Sequence, residues 1–144
     1  INQIETDLSV IKGDLQEVSN IAGAYFCDYD IFKSIYRVQA RTIARSGHSS
    51  YIVLFTLSDL DGEVPERSIA KVATARLKSA ILESLRKGDA VASYSSTQFI
   101  VMLPLNNYEE ADKVTNRIVQ KLRFRYRKDN VRITTRIKEL DSVE

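Results

Sequence analysis

The sequence predicts an α+β domain in which an antiparallel sheet of order β-α-β-β-α-β carries helices on its faces and is preceded by N-terminal helices. Three observations lead there. Residues 51–57, Tyr-Ile-Val-Leu-Phe-Thr-Leu, are nearly continuous in large apolar side chains, as expected of a central strand covered on at least one face. Residues 90–94 and 99–103 are two apolar-rich runs around Ser95, Ser96, Thr97 and Gln98, the pattern of a hairpin, and Pro104 closes the second run. Four further stretches place apolar residues at helical spacing.

In chain order, Ile1, Ile4, Leu8, Ile11, Leu15 and Val18 alternate by three and four, the spacing of heptad a and d positions, with Glu5, Asp7, Lys12, Asp14 and Glu17 between them. Gly13 weakens this helix by about 1 kcal/mol. It is either an amphipathic helix packed on its own domain or the end of a signalling helix that pairs with its twin or joins an upstream module. Residues 19–23 break the pattern. Residues 24–27 are either a short strand or extended chain entering a helix. That helix covers 29–46, with Ile31, Ile35, Val38 and Thr42 on one side and Arg37, Arg41 and Arg45 in a row. Asp28 or Asp30 can cap its start and Gly47 its end. The arginine row is a solvated face or an anion contact.

The strand at 51–57 is followed by a turn at 59–63. After Pro65, a good helix starter, Ile69, Val72, Ala73, Leu77, Ala80, Ile81 and Leu85 mark a long helix ending at Gly88. The hairpin comes next, and then Asn106 or Asn107 caps a helix from 108 to about 127. Ala111, Val114, Ile118, Val119 and Leu122 face inward there. Asp129 and Asn130 turn the chain into 131–137, where Val131, Ile133, Thr135 and Ile137 alternate with polar residues as on a strand covered on one side. Without the leading helices this order is the ferredoxin-like one. The expected division is a linker or signalling helix at 1–20 and a domain at 21–144.

At 144 residues the chain holds one domain with a full core. With 44% hydrophobic and 28% charged residues, it has a globular rather than disordered composition. A net charge of +2 does not by itself imply nucleic acid or membrane binding. A lone cysteine, Cys27, excludes an internal disulfide framework and fits a reducing, cytoplasmic compartment. With the single His48 it also excludes the usual zinc sites. No apolar run approaches the roughly 20 residues that span a bilayer. The start at Ile1, without Met or signal-peptide pattern, suggests an excised piece of a larger protein.

Several local motifs fall in one order. Arg86-Lys87-Gly88-Asp89, five residues, and Ser95-Ser96-Thr97-Gln98-Phe99 are followed by Leu103-Pro104 and a helix opening Tyr-Glu-Glu-Ala at 108–111. This series resembles the RxxD, five residues, GGDEF and LPxTxxxxA series of the bacterial diguanylate cyclases, over roughly residues 21 to 140. Residues 26–37, Phe-Cys-Asp-Tyr-Asp-Ile-Phe-Lys-Ser-Ile-Tyr-Arg, are similar to such domains at the end of bacterial transcriptional activators. The resemblance implies the nucleotidyl-cyclase palm fold. In active members it also implies two Mg²⁺ ions, held by an Asp at the end of the first strand and an acidic residue of the turn, that activate one GTP to attack another.

The departures bear on function. Hard divalent cations favour anionic oxygen ligands. Here the first-strand position falls at Thr56 or Ser58 and the turn offers Thr97 and Gln98, while Ser95 and Ser96 replace the two glycines that admit the nucleotide. The guanine- and phosphate-handling FKxxND and GH…GD stretch has no match in residues 59–69. Asp59 lies beyond the ligand position. The expectation is a degenerate, catalytically inactive regulatory module without metal or cofactor. Arg86 and Asp89 are its candidate cyclic di-GMP contacts, since guanidinium and carboxylate suit phosphate and guanine edges. The same pair can instead satisfy the end of a helix. Ile1, Ile4, Leu8, Ile11, Leu15 and Val18 are the candidate homodimer seam, and an upstream signalling or DNA-binding domain is the expected neighbour. The alternatives are an active nucleotide cyclase with a rearranged metal site, or a ferredoxin-like RNA binder. Residues 121–127, Lys-Leu-Arg-Phe-Arg-Tyr-Arg, interleave basic and aromatic side chains as RNA binders do, although on a helix Leu122 and Tyr126 would pack inward. His48 is expected in an exposed loop, away from any hydrolytic triad with Ser95 or Ser96.

Overall fold

The computed structural model describes residues 2–16, 23–104 and 107–141. Helix α1 (Gln3–Leu15) starts where the Asn2 side chain accepts the Ile4 N–H at 2.8 Å. Strand β1 (Tyr25–Cys27) leads into α2 (Tyr29–Ser46), which Gly47 ends in the left-handed conformation. Then follow β2 (Tyr51–Ser58), α3 (Arg67–Ser84), β3 (Ala90–Ser95), β4 (Gln98–Leu103), α4 (Tyr108–Arg125) and β5 (Arg132–Glu139). Asn107 caps α4 by accepting the Glu110 N–H at 2.8 Å. Helix α3 stops short of Gly88 because Leu85 turns extended and buries its side chain in the core.

The strands form one sheet of order β1-β3-β4-β2-β5. The pairs β3–β4, β4–β2 and β2–β5 are antiparallel, as the sequence predicts, whereas β1 lies parallel to β3 and makes the sheet mixed. Of residues 24–27, the last three are therefore a strand, entered through Gly23 and Ala24. That glycine has a φ of +87°, and a Cβ there would stand 2.9 Å from the Leu82 carbonyl oxygen, so no other residue fits without movement.

Alternation along the strands makes two cores. Val53, Phe55, Leu57, Val91, Phe99 and Val101 point to one face and pack against Ala73, Leu77, Ile81, Ala111, Ile118 and Leu122 of α3 and α4. Ala90, Ala92 and Met102 point to the other, against Phe32 and Ile43 of α2. Each large apolar side chain so buried contributes about 1.5–3 kcal/mol. On α2 the inward stripe is Phe32, Tyr36, Ala40 and Ile43; Ile31, Val38 and Thr42 lie exposed instead. The small Ala40 lets the helix approach the sheet on that side.

No described residue of α1 is buried: Ile4, Leu8, Ile11 and Leu15 are 65%, 55%, 49% and 78% exposed. The helix does not pack on its own domain. Ile1 and Val18, the ends of the heptad pattern, lie outside the described residues. Among those described, no helix is long and apolar enough to cross a membrane.

Candidate functional site

The hairpin turn sits where β3 and β4 meet in a two-residue connection, Ser96-Thr97. A register irregularity between Ser93 and Ser95 turns Tyr94 out of the ladder, and its ring meets Tyr29 edge-on at 5.1 Å. The turn's polar groups bond to one another and to β2. Ser95 Oγ donates to Gln98 Oε1 at 2.8 Å and accepts the Thr97 N–H, while Gln98 Nε2 donates to Thr56 Oγ1 at 3.1 Å. The Leu57 N–H donates to the Thr97 carbonyl at 2.9 Å, and the Thr97 side chain is buried. Thr56, Ser95 and Gln98 are thus brought into one hydrogen-bonded chain. Ser58 stands apart, donating to the Asp59 carbonyl at 2.9 Å.

Asp59 is the nearest carboxylate in sequence to the end of β2. Its Oδ1 accepts the N–H groups of Asp61 and Glu63, both at 2.9 Å, and so fastens its own loop. Among the described residues, no three His, Cys, Asp or Glu side chains come close enough to hold a metal ion. The groups gathered at the turn are hydroxyls and an amide already engaged with each other. That donor set does not fit a pair of magnesium ions, which favour anionic oxygens.

Arg86 and Asp89 lie at the other end of β3. Asp89 Oδ2 accepts the Arg86 N–H at 2.8 Å, the Asp89 N–H donates back to the Arg86 carbonyl at 3.0 Å, and the Asp89 carbonyl accepts the Tyr25 N–H at 2.9 Å. The residue is 6% exposed. Burial pushes its carboxyl above the ordinary range, with the N–H and charge of Arg86 opposing the shift. Arg86 and Lys87 lie at the surface. The spacing in sequence brings this pair together, but the carboxylate turns into the protein, where it ties the end of α3 to β1 and β3.

A cleft of about 620 Å³ opens between α3 and the hairpin. Arg67, Lys71, Thr74 and Lys78 of α3 line it opposite Ser93, Ser96 and Phe99, with no acidic residue among the described residues of its walls. Lys78 Nζ stands 4.1 Å from the Phe26 ring centre. The sequence-based site did not include these cations, although their spacing of four and seven residues places them on one side of a helix. Arg41 and Arg45 of the arginine row line a separate open groove on α2, and His48 is exposed, as expected.

No family model matches the chain, and no curated protein matches it. Solved structures do. The diguanylate cyclase SiaD of Pseudomonas aeruginosa, determined with its activator SiaC, aligns over 99% of this chain at a TM-score of 0.67 and 16% identity. This chain spans 56% of that one, little more than half its length. A DGC protein from Thermotoga maritima aligns at 0.65 and 16% identity, over 84% of this chain and 85% of its own. The coiled coil and GGDEF domain of DgcB from Caulobacter crescentus, determined with c-di-GMP, aligns at 0.65 and 10% identity, over 95% and 75%. The fold of this chain is that of the GGDEF diguanylate cyclase domains.

Proposed function

We propose that the chain is a catalytically inactive GGDEF-like module, serving as a cytoplasmic regulatory or interaction domain in a bacterial signalling or transcription-regulating protein. What supports this is the neutral hydrogen-bonded chain Ser95–Gln98–Thr56, in which Thr56 and Gln98 are the residues that the resemblance sets at positions where cyclase chemistry needs carboxylates around magnesium. Incubation of the protein with GTP and Mg²⁺ or Mn²⁺ tests it. The expected result is no cyclic dinucleotide; product would establish an active cyclase with a rearranged metal site.

Two further roles belong to the proposal. Cyclic di-GMP would meet the exposed Arg86 and Lys87, with Asp89 holding the loop that presents them. Calorimetry with the dinucleotide is expected to give heat that Arg86→Ala removes. No heat at about high-micromolar concentration would end this part of the proposal. Dimerisation would use the exposed stripe Ile4, Leu8, Ile11 and Leu15, extended at the same spacing by Ile1 and Val18, with an upstream signalling or DNA-binding domain continuing from that helix. Light scattering is expected to show a dimer that becomes a monomer on removal of residues 1–18. A monomer in both cases would exclude the seam.

A further inference from the structure

The basic stretch at 121–127 does not spread evenly over a solvated face. Leu122 is buried and Tyr126 half-buried, and the Tyr126 hydroxyl donates to Asn130 Oδ1 at 2.7 Å, which fastens the connection between α4 and β5 to the helix end. Beside it lies a cleft of about 700 Å³ into which three segments send cations: Arg123 from α4, Arg127 and Lys128 from the connection, and Arg132 from β5. Among the described residues, one carboxylate, Asp129, lines the same cleft. Four cations against one anion leave a local excess of three positive charges. The whole chain carries +2, so the rest of the molecule is formally at −1.

Helix termini attract cations for a simpler reason, the partial negative charge of the last carbonyls. On α4 that need is met in part by a cation of the cleft, since Arg127 Nε donates to the Phe124 carbonyl at 3.2 Å, and in part by residues outside it. Arg76 donates to the Arg125 carbonyl at 3.4 Å, and Arg125 itself is paired with Glu83. The ion pairs of the described residues are Lys33–Asp30, Arg125–Glu83 and Lys138–Asp141; none of them uses a cation of the cleft. Phe124, beside the cleft residue Arg127, is 70% exposed, and its ring centre lies 5.0 Å from the Arg127 guanidinium carbon.

We propose that this cleft binds a phosphate-bearing ligand through Arg123, Arg127, Lys128 and Arg132. Guanidinium groups match phosphate oxygens two at a time, and an excess of three charges suits a ligand with several phosphates in a row. The exposed Phe124 offers a flat apolar face on which a base can stack. A short single-stranded nucleic acid and a nucleoside triphosphate share this chemistry. The site is separate from Arg86 and Asp89 and does not depend on the function proposed above.

Fluorescence anisotropy on the whole chain tests it with two probes, a labelled single-stranded oligonucleotide and a labelled ATP. With about three phosphate contacts on a single strand, affinity is expected to fall about 20-fold between 50 and 200 mM salt. The triple variant Arg123→Glu, Arg127→Glu, Arg132→Glu, checked for folding by circular dichroism, is expected to abolish binding. Lys128→Gln with Arg132→Gln is expected to weaken it, while the double variant Arg37→Glu, Arg41→Glu on α2 leaves it unchanged. Binding of the oligonucleotide alone identifies a polymeric ligand; binding of both probes identifies phosphate groups as such. The proposal is overturned if neither probe binds at 50 mM salt, or if the α2 variant weakens binding as much as the cleft variants do.

Discussion

Strand β3 carries a polar loop at each end, and the two differ in where their polar groups go. At its start, residues 86–89 hold two basic residues and one acidic residue, and the carboxylate is buried and bonded to the backbone of its own loop. At its end, residues 95–98 have no charge, and their hydroxyl and amide groups bond across to β2. In the first loop the carboxylate has a structural role. The second holds together by neutral hydrogen bonds. Likeness in sequence and availability for chemistry are therefore separate properties, decided by the direction in which a side chain points.

Substitutions at the two ends should separate them, with the largest effect at the first. Asp89→Ala leaves the Arg86 N–H without its acceptor and is expected to destabilise the domain by about 2 kcal/mol in urea denaturation. Asp89→Asn keeps an acceptor and removes the charge. Burial raises the folded-state pKa of Asp89 above its ordinary value of 3.8. Its contribution to stability is therefore full below that value and is lost as pH rises through the raised one. Urea midpoints across that range should show Asp89→Asn gaining on the parent protein as pH rises; parallel curves would mean that the buried carboxylate does not titrate as described.

At the other end, Gln98→Ala breaks the links to Ser95 and Thr56, groups that water can partly reach, and is expected to lose about 1 kcal/mol. A loss as large as that of Asp89→Ala would erase the contrast between the loops. Removal of residues 1–16, none of them described as buried in the domain, is expected to move the thermal midpoint by less than about 2 °C.

The strands at 51–57, 90–94 and 99–103 were legible because apolar runs and a polar turn are local signals. The heptad spacing of α1 and the caps at Gly47 and Asn107 were legible for the same reason. The pairing of β1 with β3 was not, since three residues hold no periodicity and the partner lies more than sixty positions away. On α2, two apolar stripes compete, and only the sheet shows that Phe32, Tyr36, Ala40 and Ile43 fill the space. At the site, Arg86-x-x-Asp89 could be read as a spacing, but the inward turn of Asp89 depends on β1 and on the end of α3. The cations Arg67, Lys71 and Lys78 carried a helical spacing that gains meaning once the hairpin is seen opposite them. Arg123 and Arg132 converge through a turn of the chain that spacing alone does not give.

The two margins of the sheet have a consequence for how copies of this chain can meet. One margin is β1, only three residues long, and the other is β5, eight residues long with Arg132, Arg136 and Lys138 alternating along it. A short margin offers a newcomer few backbone bonds, and a positively charged one repels its own likeness. Growth of the sheet from one molecule into the next, the first step toward fibrils, is disfavoured at both sides.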